Sequence, residues 1–173
     1  MVEVRLRAVR VDLQSNTPVL LLQETDGLGR TLPIFIGAPE ATAIAFALQG
    51  MDTPRPMTHD LIRDLLEALG SDVIRVVVTE LKSSTYYAEI VLRQEGREVP
   101  VSSRPSDAVA VAVRTGAPLF VSDELMDAEG IMLAVEEDED PDKEGVDEDG
   151  NPEEIVGEFR SFLDTIRPED FSS

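Results

Sequence analysis

The only histidine of the chain stands in the stretch Pro54-Arg55-Pro56-Met57-Thr58-His59-Asp60-Leu61. An imidazole can ligate a divalent metal, move a proton near neutral pH or, when charged, hold a phosphate. Here it adjoins the carboxylate of Asp60 and follows Arg55, whose guanidinium fork suits bidentate phosphate recognition. A second stretch, Ser103-Arg104-Pro105-Ser106-Asp107-Ala108, adds another arginine, hydroxyls and a carboxylate where a helix should begin. Glu40 opens a third helix. Glu40 and Asp107, if brought to one point, are the minimum equipment for Mg²⁺ or Mn²⁺, which prefer hard oxygen ligands. The catalytic candidates are therefore His59, Asp60, Arg55, Arg104 and Ser106, and the metal candidates Glu40, Asp107 and His59.

Each candidate also has a structural use. First-turn acids such as Glu40, Asp60 and Asp107 stabilise a helix through its dipole without any metal. Arg55 and Arg104 suit an internal carboxylate as well as a phosphate, with Glu40 or Asp107 as that partner. Ser102, Ser103 and Ser106 read more readily as capping hydroxyls than as nucleophiles, since one histidine is available and no strand–Gly-x-Ser-x-Gly–helix context exists. No Walker loop, dinucleotide fingerprint or HExxH motif occurs. Adjacent Tyr86 and Tyr87 on one strand put one ring toward solvent, a weak signal for base stacking.

Three helix beginnings must carry these groups. Residues 2–13 alternate as a strand and change phase near Ala8, which calls for a bulge or bend. Ser15-Asn16-Thr17-Pro18 turns into a second strand, 19–23, and Asp26-Gly27-Leu28-Gly29 into a third, 31–36. Gly37, Pro39 and Glu40 start a helix with Ala41, Ile44, Ala45 and Leu48 on one face, stopped by Gly50. The same plan returns 67 residues later without a gap: Val9 and Val11 match Val76 and Val78, Gly29-Arg30 matches Gly96-Arg97, Pro33-Ile34 matches Pro100-Val101, and Glu40-Ala41 matches Asp107-Ala108. This reads as a duplicated strand–strand–strand–helix unit. Between the copies a helix over 58–69, capped by Thr58, places Leu61, Ile62, Leu65, Leu66 and Leu69 on a buried stripe. Residues 118–121 suit a short strand, and Ser122-Asp123-Glu124 a capped helical turn. The fold class is α+β, a mixed or antiparallel sheet packed with helices.

Charge and composition divide the chain. The net charge is −20, with 12 basic and 19 acidic side chains in residues 1–133 and 3 basic and 16 acidic in residues 134–173. Residues 1–133 form the domain. Residues 134–154 read as an acidic flexible linker. Residues 155–173 carry an amphipathic helix, with Ile155, Val156, Phe159, Phe162, Leu163 and Ile166 at helical spacing, and a tail. The domain lacks the excess of Lys and Arg that gives nucleic-acid binders their affinity through counterion release. No cysteine is present, which excludes disulfides and thiolate chemistry. No apolar run nears the roughly 20 residues that span a bilayer, and the N-terminus has strand patterning in place of a signal-peptide block. A cytoplasmic protein without membrane contact is expected.

The Pro-Arg-Pro-Met-Thr-His-Asp-Leu segment (54–61), the Ile-Gly-x-x-Glu-Ala start at Ile36 and the Ser-Arg-Pro-Ser-Asp-Ala-Val-Ala run from Ser103 together resemble the bifunctional nuclease (BFN) domain family, over residues 1–133 in order. The ending from Phe159 to Phe171 resembles actinobacterial members. The resemblance implies a compact α+β domain and DNase and RNase activity, as ascribed to plant members. It implies no catalytic roles; Glu40, Arg55, Thr58, His59, Asp60, Arg104, Ser106 and Asp107 are candidates on their own chemistry. The expectation is a metal-assisted phosphodiesterase acting on DNA or RNA, using Mg²⁺ or Mn²⁺, in a homo-oligomer. The alternatives are a non-catalytic oligomeric module whose acidic tail engages a basic partner, and an anion or nucleotide pocket between helix starts.

Overall fold

A computed structural model describes residues 1–51 and 53–133. The acidic linker and C-terminal helix expected over 134–173 lie outside the described residues.

Seven strands form one sheet: β1 (Val2–Asp12), β2 (Thr17–Glu24), β3 (Thr31–Phe35), β4 (Asp72–Lys82), β5 (Thr85–Gln94), β6 (Arg97–Ser103) and β7 (Leu119–Val121). Four helices accompany them: α1 (Ala38–Leu48), α2 (Thr58–Ala68), α3 (Pro105–Thr115) and α4 (Asp123–Glu129). The strand order is β3-β2-β1-β7-β4-β5-β6. All pairings are antiparallel except β4 with β7, so the sheet is mixed. Two three-strand meanders thus lie side by side, and β7, the shortest strand, joins them at the centre. Its Leu119 faces both Val4 of β1 and Val76 of β4, and Val121 both Val2 and Val78. An apolar three-residue strand suffices there because both its edges are paired and Val121 is fully buried.

Local chemistry fixes the meanders. The phase change expected near Ala8 is a register shift between Leu6 and Ala8 in the β1–β2 ladder. Asp12 accepts hydrogen bonds from the Ser15 hydroxyl at 2.6 Å and the Ser15 N–H at 3.2 Å, closing the β1–β2 turn. Glu24 and Arg30 close the next turn: Arg30 Nη2 and Nε donate to Glu24 Oε1 at 2.6 and 3.0 Å, and the Arg30 N–H donates to Oε2 at 2.9 Å. Two-residue hairpins link β4 to β5 and β5 to β6. Ser83-Ser84 and Glu95-Gly96 all have positive φ, the backbone hand that matches strand twist. Each outer strand carries a mid-strand proline, Pro33 in β3 and Pro100 in β6, which removes a donor from an edge and blunts pairing with another chain.

One apolar core gathers Leu20, Leu22, Leu32, Ile34, Ile44, Val76, Val78, Val109, Val121 and Met126. Helix α3 is its central helix, burying everything from Pro105 to Ala112 except Asp107. Its alternating alanines, Ala108, Ala110 and Ala112, keep the helix thin enough to pack closely against α1, α2, β4 and β5 together. Proline at its first turn and Gly116 in the left-handed region (φ 70°) bound it at the two ends. The expected cap of α4 is present: the Ser122 hydroxyl accepts from the Leu125 N–H at 3.3 Å.

Helix α2 departs from expectation in two ways. Met57, not Thr58, is its N-cap, because Asp60 reaches back to accept from the Met57 N–H at 2.9 Å. Its leucine stripe is also not buried. Leu61, Leu65 and Leu69 are 51, 52 and 69% exposed, and the residues turned inward are His59, Ile62 and Leu66. The reason is position: α2 packs on α3 and β4 from one side only, which covers half of a two-sided apolar helix. Among the described residues no helix is long and apolar enough to cross a membrane.

Candidate functional site

Glu40 and Asp107 occupy the same place in two different helices, the third residue after the N-cap. The N-caps are Gly37 and Arg104, both in extended backbone and neither using a side chain as a cap. Gly37 leaves the space its neighbour needs. A Cβ there would collide with Glu40 Oε2, so the absence of a side chain at the N-cap lets Glu40 fold back over the start of α1. At the matching position Arg104 does the opposite and sends a long cation across the start of α3. His59 is the second residue of α2 and the buried member of that helix.

These three helix starts meet. Asp107 Oδ2 accepts from Arg104 Nε at 2.6 Å, and Oδ1 accepts from Arg104 Nη2 at 3.1 Å and from His59 Nε2 at 3.0 Å. The same Nη2 donates to Glu40 Oε1 at 2.9 Å. Residues 40, 59, 104 and 107 therefore form one continuous chain of hydrogen bonds, Glu40–Arg104–Asp107–His59. Arg104 is its exposed member: the side chains of His59, Glu40 and Asp107 are 9, 16 and 26% accessible and that of Arg104 is 66%. The cluster edges a hollow of about 640 Å³ whose apolar wall includes Met57, Ile62, Ile90, Val101 and Val111. Ser102 and Ser103 line the same hollow.

The electrostatics follow from this arrangement. Burial pushes the Asp107 carboxyl up, but the hydrogen bonds from Arg104 and His59 outweigh it and hold the group below its ordinary value. Asp107 is thus ionised and can only accept from Nε2–H, so the ring in its neutral form carries its lone pair on Nδ1. The hydrogen bond to Asp107, reinforced by its charge and that of Glu40, raises the Arg104 pKa further. With a neutral imidazole the four groups sum to one negative charge; protonating the ring brings them to zero.

The arrangement does not fit Mg²⁺ or Mn²⁺. Among the described residues no three His, Asp or Glu side chains are grouped to hold a metal ion. The guanidinium of Arg104 bridges the two carboxylates that would be hard ligands and supplies the positive charge itself.

The other candidates lie elsewhere. Asp60 turns away from His59 and accepts from Arg114 Nε at 2.5 Å. Arg114 is almost completely buried and also donates to the carbonyls of Ala110 and Ala43, each at 2.9 Å, so this pair locks α1, α2 and α3 together. Burial raises the Asp60 carboxyl, and Arg114 together with the Met57 N–H lowers it further, to a net value below the ordinary range. Arg55 borders a separate hollow of about 360 Å³ with Asp60, Arg63 and Arg114. Ser106 is buried and borders a third hollow, which shares Arg104 with the first but not His59. Arg114 is not among the candidates drawn from the sequence, and Gly37 is foreshadowed there only as a helix start, not as the residue that makes room for Glu40. A basic residue in the last turn of a helix was the available signal for Arg114, and the alignment of Gly37 with Arg104 was the signal for Gly37.

Fold and site together describe a small α+β domain with a histidine–carboxylate–arginine cluster at converging helix starts. Residues 20–134 match the model of the bifunctional nuclease domain, and the chain belongs to that family. It is similar along nearly its whole length to the uncharacterized protein Rv1829 of Mycobacterium tuberculosis, 43% identical over 171 residues that span 99% of this chain and 98% of the relative. Plant relatives are more distant. Bifunctional nuclease 1 of Arabidopsis thaliana is 28% identical over 119 residues, 67% of this chain and 37% of its own length. Bifunctional nuclease 2 of the same plant is 30% identical over 117 residues, 66% and 36% respectively.

Proposed function

We propose that this chain is a nuclease that hydrolyses phosphodiester bonds of DNA or RNA at the Glu40–His59–Arg104–Asp107 cluster. The observation that carries this reading is the joining of the lone histidine to an ionised aspartate beside an exposed arginine, from three helix starts far apart in sequence. The names of the plant relatives support the choice of substrate.

The residues have distinct parts. Asp107 orients His59 and holds its Nε2 protonated, leaving Nδ1 to take a proton from an attacking water. Oxygen of that water bonds to phosphorus, the bond to the leaving oxygen breaks, and the proton returns from His59 to that oxygen. Arg104, the outermost group, exchanges one of its carboxylate partners for a phosphate oxygen and offsets charge developing there. Glu40 keeps the guanidinium aimed at the hollow before substrate arrives. No step passes through a metal. The matching strand–strand–strand–helix successions belong to the same proposal: duplication of one unit would give two equivalent helix starts, one ending in glycine and one in arginine.

The test is cleavage of single-stranded and duplex DNA and RNA by the purified chain in Mg²⁺, in Mn²⁺ and in EDTA, with His59→Ala and Asp107→Asn beside the wild type. Loss of a general base should lower the rate by about 10²-fold or more in His59→Ala. Cleavage that persists unchanged in both variants overturns the assignment, and an absolute requirement for added metal overturns the metal-free mechanism.

A second reading has its own observation. The row of Leu61 and Leu65 on α2 and Leu69 at its C-cap is exposed, as a non-catalytic module that assembles through this helix would need.

A further inference from the structure

Arg104 borders two hollows. One holds Glu40, His59 and Asp107. The other, of about 360 Å³, is bounded by Thr17, Phe35, Ser84, Thr85, Tyr86 and Ser106. Phe35 ends β3 and is 61% exposed, the most open aromatic ring among the described strands, with Tyr87 next at 40%. Ser106 is only 6% exposed, lines this hollow and makes no hydrogen bond among the described residues. Its hydroxyl opens onto the hollow, where it can donate to or accept from a bound group. The hydroxyls of Thr17, Ser84, Thr85 and Tyr86, each able both to donate and to accept, share the wall with the apolar side chains of Ile34, Ile36 and Pro105.

We infer that this second hollow binds the nucleobase next to the phosphate held by Arg104, with the base stacked on Phe35 and its polar edge on Ser106 and the neighbouring hydroxyls. The inference rests on the nuclease reading for the phosphate, and it names the form of substrate. A base inside a duplex has both faces covered by its neighbours, whereas an exposed ring offers stacking only to an unpaired base. The preferred substrate is therefore single-stranded. Hydroxyls that donate and accept with equal ease do not distinguish one base edge from another, so the site tolerates all four bases.

The chain contains no tryptophan, so Phe35→Trp creates a single fluorescent reporter in the full-length protein. Its emission is followed while adding single-stranded oligothymidylate, an abasic strand of equal length, a duplex of the same length, or inorganic phosphate. Quenching by oligothymidylate alone is expected. In parallel, Phe35→Ala should weaken binding of oligothymidylate about 10-fold, in the range for losing one base–aromatic stack, while Phe35→Tyr binds as the wild type. Equal quenching by the abasic strand, or unchanged binding in Phe35→Ala, overturns the subsite. The two readings fail separately. A chain that quenches with oligothymidylate yet cleaves nothing keeps the base subsite and loses the nuclease assignment. A chain that cleaves base-bearing and abasic strands equally well keeps the nuclease assignment and loses the subsite.

Discussion

At the scale of single residues, one guanidinium organises the site. Arg104 uses a planar fork to bridge carboxylates on two helices, and a lysine offers one point charge with no such plane. Arg104→Lys should therefore fold normally but cleave at least about 10-fold more slowly, because a misaligned contact to the phosphate costs transition-state binding. Thermal melting alongside the cleavage assay checks both halves. The depressed carboxyls give a second residue-scale prediction. Asp60 and Asp107 both titrate below their ordinary value, so the folded state binds fewer protons than the unfolded chain in that window. Their stabilisation is complete above the unfolded aspartate value of about 3.9 and is lost as pH falls through the lower folded values. Urea melts from pH 6 down to pH 2 should show stability falling below about pH 4, with a shallower fall in Asp60→Asn than in the wild type. Identical acid limbs would show that Arg114 does not hold Asp60 as described.

At the scale of elements, the three helix starts behave differently though their sequences look alike. All carry an acid at the third position. Glu40 and Asp107 share a cation, while Asp60 serves its own helix and a buried arginine. Helix α2 shows why periodicity is an incomplete guide. Its apolar positions were legible in the sequence, but a stripe says which residues share a face and leaves open whether anything covers that face. Since the row of leucines is exposed, Leu65→Lys should change the stability of the monomer by no more than about 0.5 kcal/mol, as for other surface positions. A loss of several kcal/mol in chemical denaturation would mean that the face is covered in solution. A drop in assembly size on gel filtration with unchanged stability would favour the interaction module.

At the scale of the whole molecule, charge limits how nucleic acid is held. The domain has an acidic excess, and most arginines near the site already face carboxylates. Few phosphates can then be neutralised on binding. For single strands, the slope of log affinity against log salt should lie near −1, equivalent to about one or two phosphate contacts at roughly −0.7 each; fluorescence titrations between low and moderate salt measure it. A steep slope, near that of a dedicated DNA-binding protein, would require a basic surface that residues 1–133 do not have.

The chain's order of strands and helices, the bulge near Ala8, the cap at Ser122 and the candidacy of Glu40, His59, Arg104 and Asp107 were all legible from the residues. Each depends on interactions among near neighbours in sequence, or on side-chain chemistry that travels with the residue type. Which candidates act together was not legible. Asp60 adjoins His59 in sequence, yet successive helical residues point about 100° apart, so it bonds Arg114 while His59 finds Asp107 across the fold. The central place of β7 and the burial of α3 were likewise decided by packing, because a short apolar strand or an alanine-rich helix has the same local pattern at the middle of a domain as at its margin. Only the folded chain, by laying one meander beside the other, brought the three helix starts to a single cluster.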